Sequence, residues 1–474
     1  LTVLDLRTFH GRAFHYLSAG KTMADNWHID LLASELDAVR LGKTHRLILN
    51  IPPRYGKSLL ASISFPAFVL GHDPSAQILC VSYAQDLSEK LARDCRKLMQ
   101  SRWYLECFPG AELVGRHAVQ ECVTRQGGTR LATSIGGVVT GRGADIIIID
   151  DPLKPDEAMS DAARARVNQY YDSTLFSRLN SKEEGAIVLV MQRLHEDDLV
   201  GHLLETGQWK VVSLPAIAEA DERHEINSLL GRQVVIRRQG EALHPERESV
   251  RALEGIKKTL GSYNFSAQYQ QRPGPVGGGL VKTSWFVPFL KTDLPGGAEI
   301  AQSWDCASKA AEINDYSCCL TFARSRGKVY ILDVFRERLE YPDLRRKVID
   351  MAARWRAQTV LIEDAGSGIA LLQDLKRDAP FPVEAIKVSG LDKIVRLQAE
   401  TVALEAGNVH LLADAPWRRD FLAELERFPR GRHDDQVDAL SQALYWHRVI
   451  RRENGVMGYY REWAEELGVL PRSD

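Results

Sequence analysis

The stretch Arg46–Leu60, RLILNIPPRYGKSLL, decides how the first half of the chain folds. The apolar, strand-favouring run Leu47, Ile48, Leu49 and Ile51 stops at Pro52-Pro53, and Gly56-Lys57-Ser58 opens a helix. A strand, a tight loop and a helix start aim backbone N–H groups and the positive end of the helix dipole at one point. Lys57 adds a mobile charge and Ser58 a hydroxyl suited to Mg2+, so the chemistry that fits is a triphosphate, ATP. Pro53, Arg54, Tyr55 and Gly56 complete the nucleotide-contacting loop. The pattern departs from G-x-x-x-x-G-K-[ST], because Ile51 takes the first glycine's place and two prolines stiffen the turn.

Upstream, Ile29–Leu41 has the spacing of a helix, preceded by Asn26-Trp27-His28. Trp27 and His28 have two readings, a core cap or a pair that packs on and hydrogen-bonds an adenine. Downstream, a strand at Gln77–Ser82 and a helix at Asp86–Met99 begin the alternation of a parallel sheet with crossovers. Ile146–Ile149 reads as a strand buried on both faces that ends in Asp150-Asp151, where such sheets bind ligands. This is a Walker B pattern: Asp150 holds Mg2+, directly or through water, and Asp151 orients or deprotonates the attacking water. Arg142, between Gly141 and Gly143, is a candidate arginine finger, and Arg54 is a second. A further buried strand, Gly185–Met191, ends at Gln192, a candidate γ-phosphate sensor that passes phosphate loss to the next segment.

With 474 residues the chain has room for two or three domains, each with its own core. Lys and Arg number 61 against 63 Asp and Glu, so any contact with DNA must use a local patch. The seven cysteines, without a C-x-x-C spacing, read as reduced core residues rather than a disulfide framework or zinc site. No stretch resembles a signal peptide or membrane span, which points to a cytoplasmic protein.

Residues 220–251 are charged and aperiodic, and the Pro/Gly-dense run 272–279 marks a boundary. The domains expected are a P-loop ATPase at 1–215, a linker subdomain with interdomain linker at 216–279, a second domain at 280–450 and a tail at 451–474. In the second domain, three successive strands (Ala301–Cys306, Tyr316–Ala323, Lys328–Phe335) precede a helix at Pro342–Ala357 and a strand at Thr359–Glu363. A helix (Gly368–Arg377), a strand (Val383–Val388), a helix (Asp392–Ala406) and a last helix from near His433 follow. That order is RNase H-like. The overall class is α/β, a P-loop domain with a parallel sheet joined to an RNase H-like domain.

Asp305 lies on the first of these strands, Glu363 and Asp364 end the fourth, and Asp434-Asp435 open the last helix with Asp438 a turn later. Neighbouring first and fourth strands bring Asp305 and Glu363 together, and the helix brings Asp434 or Asp435 over them. Such a cluster needs cations, two Mg2+ or Mn2+ ions for phosphodiester cleavage. Strand alternation favours Glu363 over Asp364. Lys387, Lys393 and Arg396 form either a DNA-steering patch or an ordinary solvated helix face.

Taken together, the motifs resemble the large terminase subunit of tailed bacteriophages. The resemblance rests on Pro52–Ser58, Thr140–Gly143, Asp150-Asp151-Pro152, Gln192–His195, Phe265–Pro273, Trp304-Asp305, Ile362–Asp364 and His433–Leu440, in that order. It implies an ASCE (RecA-like) ATPase domain and an RNase H-like nuclease domain, an ATP-driven motor that packages double-stranded DNA into a procapsid, and an endonuclease that cuts concatemers. It also implies a homo-oligomeric ring on the portal, a small terminase subunit as partner, and an arginine near the neighbour's ATP. Two positions depart from the family pattern: Asp151 stands where glutamate is common, and Gln192 where Ser or Thr is. A helicase-nuclease of repair or defence and an inactive prophage remnant are the competing readings.

Overall fold

A computed structural model provides the structure, which describes residues 2–449 apart from 116–117, 140, 206–208, 230, 275–279, 307–315, 365–366, 388–392 and 430–432. The tail 451–474, Thr140 and the glycine run 275–279 therefore lie outside the described residues. The chain divides into two compact units, Leu1–Gly274 and Pro275–Asp474. Among the described residues no helix is long and apolar enough to cross a membrane.

The first unit contains β1 (Arg46–Asn50), β2 (Gln77–Ser82), β3 (Glu121–Val123), β4 (Thr129–Ser134), β5 (Ile146–Asp150), β6 (Ala186–Met191) and β7 (Lys210–Ser213). They form one sheet in the order β3-β4-β2-β5-β6-β1-β7, parallel throughout except for β3. The four isoleucines of β5 are buried on both faces, which is why the strand shows no polar alternation. Ile146 and Ile148 join the core beneath the helices Leu6–Leu17, Trp27–Arg40 and Phe65–His72. Ile147 and Ile149 join the opposite core, which holds Val167 and Leu199. Each such side chain contributes roughly 1.5–3 kcal/mol by leaving water, so the central strands form a stiff base for the loops at their carboxyl ends.

The aperiodic stretch 220–251 contains an antiparallel hairpin, β8 (Glu222–Ser228) with β9 (Gly231–Arg237). Of its residues only Ile226 and Arg237 are buried, so the alternation that marks a half-buried strand is missing. A helix, Val250–Gln268, follows and bends at Gly261 (φ +78°). Leu253 and Phe265 pack with Ala216 and Ala242 in a small core of the first unit.

The second unit contains β10 (Val287–Phe289), β11 (Glu299–Asp305), β12 (Ser317–Ser325), β13 (Lys328–Glu337), β14 (Thr359–Glu363), β15 (Val383–Ile386) and β16 (Val409–Leu412). Their order is β10-β16-β13-β12-β11-β14-β15. β11, β12 and β13 run antiparallel, and β14 returns parallel to β11, as an RNase H-like fold requires. β16 and the helix Arg418–Arg427 are additions to the expected order. The last helix covers 435–449.

Candidate active sites

The phosphate loop follows β1 and enters a helical run from Lys57 to His72. Arg54 and Gly56 both take positive φ, +66° and +84°. Gly56 meets that demand without strain, whereas Arg54 holds it at a cost that marks a constrained loop. Ser58 Oγ donates to Asp150 Oδ1 at 3.0 Å, and Ser62 Oγ donates to Asp150 Oδ2 at 2.7 Å. The Lys57 ammonium lies 2.9 Å from Asp151 Oδ1 as an ion pair without hydrogen-bond alignment. Burial, reinforced by the charge of Asp151, pushes the Asp150 carboxyl up to about 6. Two hydroxyls and two carboxylates of this kind are hard oxygen donors that suit Mg2+, and Lys57 supplies the charge a phosphate needs.

β6 lies between β1 and β5, as expected of an ASCE-type ATPase, and its end carries Gln192 between the loop and the acids. The Gln192 N–H donates to Asp151 Oδ1 at 3.3 Å, and its buried Oε1 has no partner among the described residues. The Arg193 N–H then donates to Gln271 Oε1 at 2.9 Å, linking the strand end to the close of the first unit. Asp198, fully buried, fixes the Arg193 side chain at 3.0 Å and caps the next helix. Sequence reasoning missed Ser62, Asp198 and Gln271. Ser58 and Ser62 stand four residues apart on one helix face, the signal that identifies the second hydroxyl.

Beside the loop is a cavity of about 160 Å³ whose lining includes His28, Arg54, Tyr55, His244 and Arg247. His28 is buried, bonds the Tyr55 backbone oxygen through Nε2 at 3.2 Å, and has its pKa lowered to about 4 by burial. Trp27 does not line the cavity; its ring stacks on His224 of the hairpin, 4.8 Å between centroids. Pro53 is half-buried in the loop. Arg142 is exposed and pairs with Glu121 of the edge strand β3, 2.8 Å away, at the opposite side of the sheet from β1.

In the second unit, β11 and β14 pair in parallel with Trp304 opposite Ile362, so Asp305 and Glu363 lie at adjacent strand ends. Glu363 Oε2 accepts from Gln442 Nε2 at 3.0 Å, while Asp364 is exposed. Asp305 and Glu363 are half-buried, and the buried acid whose charge bears most on Asp305 is Asp438. Desolvation, then the charges of Asp438 and Glu363, hold the Asp305 carboxyl well above the usual range. Asp434 and Asp435, at the start of the helix, are turned to basic partners: Asp434 to Lys393 at 3.0 Å, and Asp435 to Arg336 at 2.8 Å. Lys393 also reaches Asp438 at 2.6 Å, and Arg396 reaches it at 2.9 Å. Two of the three cations expected to meet DNA are thus engaged by the acids, while Lys387 is exposed.

Among the described residues no three acidic, histidine or cysteine side chains are drawn together closely enough to hold one ion. Asp305, Glu363 and Asp438 are all carboxylates, a set that fits Mg2+ or Mn2+ in kind.

A family model described as "Terminase large subunit, T4likevirus-type, N-terminal" matches residues 48–267. A second, "Terminase RNaseH-like domain", matches residues 302–445. The first span holds Lys57, Ser58, Asp150 and Asp151, and the second holds Asp305, Glu363 and Asp438. Among solved structures, a large terminase from a thermophilic bacteriophage is 9% identical, with a TM-score of 0.48 over 86% of this chain and 97% of that one. The HK97 bacteriophage large terminase is 11% identical, with a TM-score of 0.37 over 89% and 93%. The large terminase nuclease from thermophilic phage G20c with bound magnesium is 17% identical, with a TM-score of 0.28 over 36% and 98%. No curated protein matches the sequence. Because the two halves match the two domains of one protein in the same order, the chain belongs to the terminase large-subunit family.

Proposed function

We propose that this terminase large subunit drives double-stranded DNA into a procapsid with ATP and cuts concatemeric DNA by metal-dependent endonuclease chemistry. The observation that carries the reading is the meeting of Lys57, Ser58, Asp150 and Asp151 at one end of a parallel sheet, with a separate carboxylate set in the second unit. The motor is assigned to residues 1–215 with its linker subdomain at 216–279, and the nuclease to 280–450.

At the first centre Ser58 and Asp150 would hold Mg2+, which supplies charge neutralisation on the phosphates. Lys57 binds phosphate, Asp151 orients the attacking water and accepts its proton, and Gln192 passes phosphate loss through Arg193 to Gln271. Arg142, exposed at the far edge of the sheet, is assigned to a neighbouring subunit's nucleotide. His28, Arg54 and Tyr55 line the cavity assigned to the base. At the second centre Asp305, Glu363 and Asp438 would hold the ions, which supply an activated water and stabilise the leaving 3′ oxygen. Asp434 and Asp435 flank that set. The partners assigned are DNA, a small terminase subunit, the portal and further copies in a ring, all in the host cytoplasm.

DNA-stimulated ATP hydrolysis and Mn2+-dependent plasmid cleavage, measured on four proteins, test this. Lys57→Ala should lose hydrolysis by about 100-fold or more and keep cleavage, and Asp305→Ala should do the reverse. Arg142→Ala should lose turnover while binding nucleotide normally. A wild type silent in both assays would favour an inactive remnant, and duplex unwinding would favour a helicase-nuclease.

A further inference from the structure

Arg130 of β4 is wholly buried, yet the centre described above assigns it nothing. A guanidinium is costly to bury without partners, so its surroundings must account for it. Its Nη2 donates to the Ser62 backbone oxygen at 3.1 Å, while Nε and Nη1 have no partner among the described residues.

The Ser62 carbonyl lacks its α-helical donor for a reason visible in the sequence. In an α-helix it would accept from the N–H of residue 66, and residue 66 is proline. The helix accommodates Pro66 by opening into a π turn over Leu60–Ser64, with the Phe65 N–H bonded to Leu60 O. The same turn carries the Ser62 hydroxyl that holds Asp150 Oδ2 at 2.7 Å, while Ser58 holds Oδ1. Arg130, Ser62 and Asp150 therefore form one chain of contacts from β4, through the helix, to β5.

Filling an orphan carbonyl needs only a neutral donor, so a charge is more than the helix requires. Of the groups whose fields bear on Arg130, three are the buried thiols Cys80, Cys95 and Cys122, and the fourth is Asp150. Asp150 is the one carboxylate among the four and bears on Arg130 least, so the tie between them is the geometric one through Ser62.

We propose that Arg130 is a positioning residue for Asp150: by holding the carbonyl to which Pro66 cannot donate, it keeps the π turn open and the Ser62 hydroxyl on one carboxylate oxygen. The other oxygen is then presented with Ser58 toward the ion of a bound nucleotide. The inference rests on the ATP-site reading.

The test is binding of a fluorescent ATP analogue to the full chain, with and without Mg2+. Wild type should bind more tightly when Mg2+ is present. Ser62→Ala and Arg130→Met should lose about tenfold or more of that Mg2+-dependent gain, the usual loss when a partner behind a metal ligand is removed, with Mg2+-free affinity nearly unchanged. Arg130→Lys, which keeps the charge, should recover part of it. A merely structural arginine would lower the melting temperature and leave the gain intact. An unchanged gain in folded Arg130→Met overturns the proposal, and so does an unchanged gain in Ser62→Ala, which decides the matter if Arg130→Met fails to fold. A wild type that binds no nucleotide overturns the ATP-site reading and this inference with it, whereas normal wild-type behaviour with insensitive variants overturns the inference alone.

Discussion

Asp150 and Asp438 are both buried carboxylates, and desolvation pushes both up to about 6. Their partners differ in kind. Asp150 accepts from two neutral hydroxyls, Ser58 and Ser62, and the cation Lys57 goes to its neighbour Asp151. Asp438 is held by two cations, Lys393 and Arg396. A hydroxyl offers a dipole and can share a carboxylate with a metal ion, whereas an ammonium or guanidinium neutralises the carboxylate and competes with that ion. If these carboxylates are the metal ligands, the motor centre is arranged beforehand, while the nuclease centre must exchange internal cations for metal.

The largest effect expected is at the nuclease. If Asp438 is the third ligand, Asp438→Asn should lower Mn2+-dependent plasmid cleavage by at least about 100-fold, while Asp435→Asn, which removes only a partner of Arg336, should cost about tenfold or less. Hydrolysis of ATP should be unchanged in both. The opposite ranking would return the metal to Asp435 and break the contrast drawn above.

That ranking also shows what was legible in the sequence and what was not. The strands Gln77–Ser82 and Thr359–Glu363 have the bounds that their apolar runs predict, because buried strands declare themselves locally. The motor residues were legible for the same reason: Gly56, Lys57 and Ser58 are contiguous, and Asp150 ends a strand of isoleucines. The nuclease acids on β11 and β14 could be placed from strand order. In the sequence the third reads as Asp434 or Asp435 rather than Asp438, because burial and the cations that face each acid separate them only in the fold, and Arg396 and Arg336 come from 42 and 99 residues away. The hairpin β8–β9 left no pattern because its inward face carries Glu222, His224 and Arg237 beside Ile226, and β16 is only four residues long.

A smaller effect concerns the stability of the motor centre. Its carboxyl raised, folded Asp150 keeps a proton that the unfolded chain, at the ordinary 3.8, has released. Stability should then be highest below about pH 4, fall as pH rises toward 6, and level off above. Asp150→Asn removes this penalty, so in chelator its melting temperature should exceed that of wild type at pH 8 but not at pH 4. The gain amounts to about 1–3 kcal/mol. A wild type that grows more stable relative to Asp150→Asn across that window would show the hydroxyls and Lys57 to be sufficient for the anion, making the two centres alike.

The smallest effect marks where the motor centre ends. Trp27 and His28 are adjacent in sequence, but His28 faces the cavity beside the phosphate loop and Trp27 stacks on His224. The indole then belongs to the attachment of the hairpin, which the Asn26 amide supports nearby by donating to Leu243 O at 3.1 Å. Trp27→Leu keeps apolar area and removes the stack, so the melting curve should show a loss of about 0.5–1.5 kcal/mol, the worth of an aromatic pair. Nucleotide affinity should stay within about twofold, since the change is then confined to a contact that does not touch the site. A tenfold weaker nucleotide complex with unchanged stability would instead place the indole on the base, and would extend the contiguous, prearranged part of the motor centre one residue further upstream.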